Sequence, residues 1–165
     1  MKLSQNKKIH ICPIKKLPTE LDKNLPDRKA VAIMLSTEDL TYHDFGLPDA
    51  YYKANVLDTE IEAKRFSFNY EDGLKVKKFL DLHSDFERLY VCCDSGESRS
   101  TAMAAAIMRY YGKSDKEIWT NPYYHPNTLV YKEQMRAFGF KVGKIKLCYL
   151  KHLSNKALEK LINKN

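Results

Sequence analysis

No stretch of this 165-residue chain is long and apolar enough to span a membrane. A signal-peptide core is missing as well: "MKLSQNKK" is polar and charged, and the "IHICPI" that follows is broken at Pro13. Cysteine is scarce, with four in the chain. Without a secretory signal, these four fit a reducing, cytoplasmic setting, where thiol chemistry is expected before a disulfide framework. Repeats, low-complexity tracts and an interdomain linker are also absent, and the six glycines and six prolines punctuate only local loops. The chain therefore reads as a single domain over residues 1–165, long enough to bury a core without staples.

The apolar fraction of 44% and charged fraction of 30% are those of an ordinary globular protein. A net charge of +7 raises the question of nucleic acid. Its lysines, however, are scattered through "KVKK", "KVGKIK" and "NKALEKLINKN", with no stripe of arginine and aromatics. A basic solvated surface is the reading, and neither a nucleic-acid nor a membrane partner is expected.

Short β-prone runs occur at "KIHICPI", "AVAIMLS", "KANVLD" and "RLYVCC", each bounded by turn residues. "LPTELDKNLPDR" and "FGLPDAYY" read as loops. "YEDGLKVKKFLDLHSDF" sets Leu74, Phe79, Leu82 and Phe86 on one helical face. A helix is expected from Thr101 to Tyr111, stopped by Gly112. Ser114 and Glu117 read as the capping box of a short helix through Trp119. Asn127 and Gly139 read as the start and stop of another helix, and the tail from Ser154 is expected to be helical. Strands alternating with helices, then helices alone, predict an α/β fold with a mostly parallel central sheet flanked by helices.

The chemistry concentrates in "LYVCCDSGESRSTAMAAAIMRYYG". A buried strand running through a short polar loop into a small-residue helix places that loop at the carboxyl end of a sheet strand, where open α/β folds bind ligands. The helix start contributes unpaired N–H donors and positive partial charge, which suit an anion. From Cys93 the loop runs Asp94, Ser95, Gly96, Glu97, Ser98 and then Arg99 and Ser100. Gly96 can take a positive φ, letting the backbone amides of residues 94–99 curl around an oxyanion. Arg99 adds a planar fork for two phosphate oxygens. A cysteine at the base of such a cradle is expected to have a pKa below the free value of roughly 8.5 and to attack the bound phosphorus.

Cys93, Asp94, Ser95, Gly96, Glu97, Ser98, Arg99 and Ser100 resemble the active-site loop of cysteine-dependent protein tyrosine and dual-specificity phosphatases. The match is nearest to the small bacterial and phage-type tyrosine phosphatases, whose loop reads Cys-Asp-x-Gly-x-Ser-Arg-Ser. Pro126, Asn127, Val130 and Tyr131 are similar to that group's Pro-Asn-x-x-Val-Tyr segment, so the resemblance covers roughly Leu89 to Phe138. It implies a phosphatase-like fold, a phosphorylated protein or small phosphomonoester as substrate, and Cys93 as nucleophile. It further implies Arg99 as phosphate clamp, Ser100 as a hydroxyl stabilising the sulfur, and no metal or organic cofactor. One departure stands out: the family usually has His before the nucleophile, and this chain has Cys92. A buried strand position explains Cys92 best, while Cys12 and Cys148 are open as oxidative partners for the loop thiols.

Ester cleavage also needs a proton for the leaving oxygen, which the family takes from an Asp after an upstream strand. "KANVLDTEIEAK" supplies Asp58 at its strand end, with Glu60 and Glu62 behind it; Asp39, Asp44 and Asp49 are reserves. Asp94 and Glu97 would repel a phosphate dianion, so both side chains are expected to face outward. His83, Tyr123, Tyr124 and His125 are candidates to line a pocket, though aromatic packing explains them as well. The rival readings are a phosphate-binding module without turnover, a sulfurtransferase or arsenate reductase using the cysteine loop, and a basic nucleic-acid module.

Overall fold

In the computed structural model, residues 7–22, 29–37, 50–62 and 65–163 are described. "AVAIMLS" and "RLYVCC" are apolar without alternation, the pattern of strands covered on both faces, and they form the centre of the sheet. They are β2 (Ala30–Ser36) and β4 (Arg88–Cys93), paired in parallel, with Val31 opposite Leu89 and Leu35 opposite Cys93. β1 (Lys8–Pro13) lies outside β4, and β3 (Ala50–Asn55) lies outside β2, giving the order β1-β4-β2-β3 with every pair parallel. The expected parallel α/β architecture is therefore the one observed.

The alternation of side chains across the strands creates two cores. Val31, Ile33, Leu35, Leu89, Val91 and Cys93 face the larger one, with α2 (Tyr70–Leu82), α3 (Arg99–Tyr110) and α5 (Thr128–Ala137). Ala32, Met34, Tyr90 and Cys92 face the other, together with Cys12, Ile14 and Leu17. Consecutive Cys92 and Cys93 thus belong to opposite sides of the sheet.

Several local expectations are corrected. "LPTELD" is not loop but α1 (Leu17–Asp22), anchored by a fully buried Leu17, with Pro18 in the first turn, where its missing N–H costs nothing. β3 starts at Ala50, within the stretch read as loop, and ends at Asn55, so Asp58 lies three residues past the strand. Its tyrosines provide the β-favouring chemistry, and Tyr52 packs on the larger core while Tyr51 faces water.

α2 opens with a capping box of Asn69 and Asp72 and buries Gly73, Val76 and Leu80 rather than the face predicted. Leu82 is 69% exposed, and Phe86, though buried, lies beyond the helix end. The reason is Gly73: a Cβ there would come within 2.8 Å of the Ala137 Cβ, so its bare backbone sets how closely α5 approaches. Between α3 and α5, α4 (Lys116–Trp119) is N-capped by Asp115 instead of Ser114. The Asp115 carboxylate accepts from Trp119 Nε1 and Tyr131 OH, both at 3.0 Å. The last helix, α6 (Lys144–Ile162), starts ten residues before the predicted Ser154. Gly112 and Gly139 do end α3 and α5, and Asn127 does cap α5. No helix among the described residues is long and apolar enough to cross a membrane.

Candidate active site

β4 delivers Cys93 to the carboxyl edge of the sheet, and residues 94–98 bend directly into α3. The turn depends on Gly96, at φ +78°, where an added Cβ would lie 2.7 Å from Pro13 N and 2.9 Å from the Cys12 carbonyl carbon. Both the left-handed backbone and the contact with the end of β1 exclude a side chain there. The first bond inside α3 runs from Ala102 N to Ser98 O, so the amides ahead of it have no acceptor within the helix.

Cys93 is fully buried on the α3 side, and its Sγ lies 3.1 Å from Ser100 Oγ. Arg99, the first residue of α3, is only 4% exposed. Its Nη1 donates to Val56 O and its Nη2 to Asp94 Oδ2, each at 2.6 Å. Its Nε is buried and has no hydrogen-bond partner. A guanidinium so placed has a donor to spare for an incoming anion.

Asp94 does not face outward as expected. Its Oδ1 accepts from Ser36 Oγ at 2.6 Å, and its Oδ2 accepts from Thr37 Oγ1 at 2.8 Å and Thr37 N at 3.3 Å as well as from Arg99. Burial alone would push this carboxyl up, but the bonds from Ser36, Arg99 and Thr37 and the guanidinium charge outweigh it and hold the group down at about 2. Convergent donors, with Arg99 first among the charged groups, make an inward carboxylate favourable here. Glu97 is exposed as expected, while its carbonyl accepts from His125 N at 2.9 Å and Thr101 Oγ1 at 2.7 Å. Ser95 Oγ accepts from Glu97 N at 3.3 Å, a contact that stays within the loop.

Asp58 meets the loop from the other side. Its Oδ1 accepts from Ser98 Oγ and Asn127 Nδ2, both at 2.8 Å, and its Oδ2 stands 3.9 Å from Arg99 Nε. Glu60 and Glu62 turn elsewhere, Glu60 to Thr128 and Lys151 and Glu62 to Lys132. Asp39, Asp44 and Asp49 lie outside the described residues.

Beyond the helix cap expected of it, the Asn127 side chain reaches Asp58. Oδ1 caps α5 by accepting from Leu129 N and Val130 N, while Nδ2 holds Asp58. The Pro-Asn segment was the signal for it. No local motif marks Ser36, Thr37 or the Val56 carbonyl, which the fold alone brings to the site.

His125 does line a cavity of about 240 Å³ with Asp58, Ser98 and Lys151. His83 instead caps α2 and packs on Phe79, with ring centroids 4.8 Å apart. Cys92 Sγ lies 3.4 Å from Cys12 Sγ on the opposite sheet face, where contact with Cys12 and burial push its thiol up. Cys12 is therefore the cysteine beside Cys92, and Cys148 is exposed on α6.

No protein-family profile and no curated protein matches the chain. A solved structure that is similar to it is the crystal structure of Tk-PTP in the active form. It is 15% identical, with 92% of this chain and 93% of that one covered and a TM-score of 0.38. At that identity and TM-score, no residue role passes from one chain to the other.

Proposed function

We propose that the chain is a cysteine-dependent phosphatase that hydrolyses phosphate monoesters, protein phosphotyrosine foremost, through a cysteinyl-phosphate. The observation that carries this reading is the buried Arg99, whose Nε makes no hydrogen bond, on the same loop as a buried Cys93 in contact with Ser100. An exposed Glu97 on the rim disfavours polyphosphorylated ligands and favours a single phosphate.

In this mechanism the Cys93 sulfur attacks phosphorus in line with the leaving oxygen. Arg99 and the loop amides bind the equatorial oxygens, and a proton on Asp58 Oδ2 goes to the departing phenoxide. A P–S bond has formed and the P–O ester bond has broken. Water then attacks the cysteinyl-phosphate, giving its proton to Asp58, and the P–S bond breaks with Ser100 donating to the departing sulfur. Inorganic phosphate leaves.

One observation favours a second reading, a phosphopeptide-binding module. Asp58 is already engaged by Ser98, Asn127 and, at 3.9 Å, the Arg99 guanidinium, so tying the loop together accounts for it without any proton transfer. Hydrolysis of p-nitrophenyl phosphate under reducing conditions from pH 5 to 8, by the unmodified chain and by Cys93→Ser, separates the two. Turnover lost in Cys93→Ser supports the phosphatase. Phosphopeptide binding without turnover in either protein would replace it with the binding module.

A further inference from the structure

The Asp94 carboxylate receives donors from two separate parts of the chain and offers itself to the same guanidinium that the candidate phosphate site needs. Ser36 and Thr37 stand at the end of β2, and Asp94 follows the nucleophile at the end of β4. The register sets Leu35 opposite Cys93, which brings the residues after them side by side. Ser36 Oγ, Thr37 Oγ1 and Thr37 N aim the carboxylate, and its Oδ2 then meets Arg99 Nη2 at 2.6 Å. On the other side of the guanidinium, Val56 O takes Nη1. A planar group held at both terminal nitrogens has little freedom left. It keeps Nε–H and the second hydrogens of the terminal nitrogens for an oxyanion.

Resting on the reading of this loop as a phosphate cradle, we propose that Asp94 is a positioning residue, which relays the β2 end onto Arg99 and fixes the guanidinium fork for phosphate. Its negative charge beside the site is not a contradiction. Four donors satisfy the carboxylate, and what it provides is an acceptor at a fixed place rather than a field. The acceptor is ionised through the neutral range, as an ordinary aspartate is, and the same bonds keep it so to lower pH.

The alternative role has the opposite sign. If Asp94 only competed with phosphate for Arg99, removing it would tighten anion binding. The discriminating measurement is the Kd of inorganic phosphate by calorimetry, alongside KM and kcat for p-nitrophenyl phosphate. The proteins are the full chain, Asp94→Ala, Asp94→Asn, and the double variant Ser36→Ala with Thr37→Val. Asp94→Ala is expected to raise the phosphate Kd at least tenfold and to lower kcat/KM further still. Asp94→Asn can turn its oxygen to Arg99 and its amide to the Ser36 hydroxyl, which is able to accept, so it is expected to stay within threefold of the parent. The double variant leaves Asp94 in place without its aiming hydroxyls. It is expected to shift in the same direction as Asp94→Ala, and it serves if that variant does not fold.

Phosphate bound equally well or more tightly by Asp94→Ala or by the double variant overturns the proposal while leaving the phosphatase reading intact. A parent chain that binds phosphate without hydrolysing it ends the phosphatase reading, yet the Kd series still decides the role of Asp94. A parent that neither binds nor hydrolyses overturns both.

Discussion

Asn127 donates its side-chain N–H to Asp58 Oδ1 at 2.8 Å, across 69 residues of sequence, while the oxygen of the same amide caps α5. One side chain therefore ties the start of a helix to the candidate proton donor. Asn127→Ala removes both links. Loss of a cap costs about 1 kcal/mol, which lowers Tm by about 3 °C in a chain of this size. Asn127→Asp keeps a capping oxygen but sets one carboxylate against another. It is expected to hold most of the Tm while aryl phosphatase activity falls about tenfold, the scale of a lost charge-assisted hydrogen bond. Thermal melts and kcat on both variants check this, and parallel loss of stability and activity in the two would refute the separation.

In the proposed mechanism Asp58 protonates the leaving oxygen, so its removal is expected to hurt in proportion to the leaving group's need for a proton. Asp58→Asn should lower kcat/KM for phenyl phosphate by about 10²-fold or more, within the usual range for a general acid. p-Nitrophenolate leaves readily as an anion, and the same variant should lose much less on that substrate. Equal losses on the two esters would mean that Asp58 supports the loop through Ser98 without transferring a proton.

Two glycines provide a controlled comparison. Gly139 has φ +89° and nothing within 4 Å of an added Cβ, whereas Gly96 has φ +78° and the backbone of Pro13 at 2.7 Å. Gly139→Ala should therefore cost only the left-handed conformation, about 1–2 kcal/mol, with activity unchanged. Gly96→Ala adds a clash with backbone that cannot rotate away, so it should lose more stability and also weaken phosphate binding. Denaturant melts with phosphate titrations would show the split. A Gly96→Ala protein with the parent's phosphate affinity would contradict the role given to the loop.

What could be read in the sequence was what is local. β2 and β4 announce themselves as unbroken apolar runs, and Cys93, Gly96, Arg99 and Ser100 lie within eight consecutive residues, so their spacing is read directly from the sequence. The inward turn of Asp94 depends on Ser36, 58 residues earlier, and charge repulsion considered without those donors points the wrong way. The face of α2 differs from the one its periodicity predicts because Gly73 directs the packing through the side chain it lacks, and periodicity counts only large apolar residues. The start of α6 leaves no periodic signal for a related reason. Of its 19 residues it buries only Leu150 and Ser154, too few to leave a helical stripe.

The Asp94 network also predicts how the fold responds to acid. Its carboxyl is held below the ordinary value of 3.8, at about 2, so the unfolded chain takes up this proton before the folded one does. A depressed folded pKa contributes stability that is fully present above the unfolded value and is lost as pH falls through the folded one. For Asp94 that window runs from pH about 4 down to about 2. Asp94→Asn has no proton to bind at this position, so its stability lacks this component of the pH dependence. The gap in unfolding free energy between the parent and Asp94→Asn, measured by urea titration at steps from pH 6 to pH 2, is expected to be constant down to pH about 4 and then to narrow. The carboxylate is about one-third exposed, and solvent screening makes the narrowing smaller than a fully buried pair would give. A gap that widens toward low pH would mean that Asp94 binds its proton more readily in the folded protein, the reverse of what four converging donors impose.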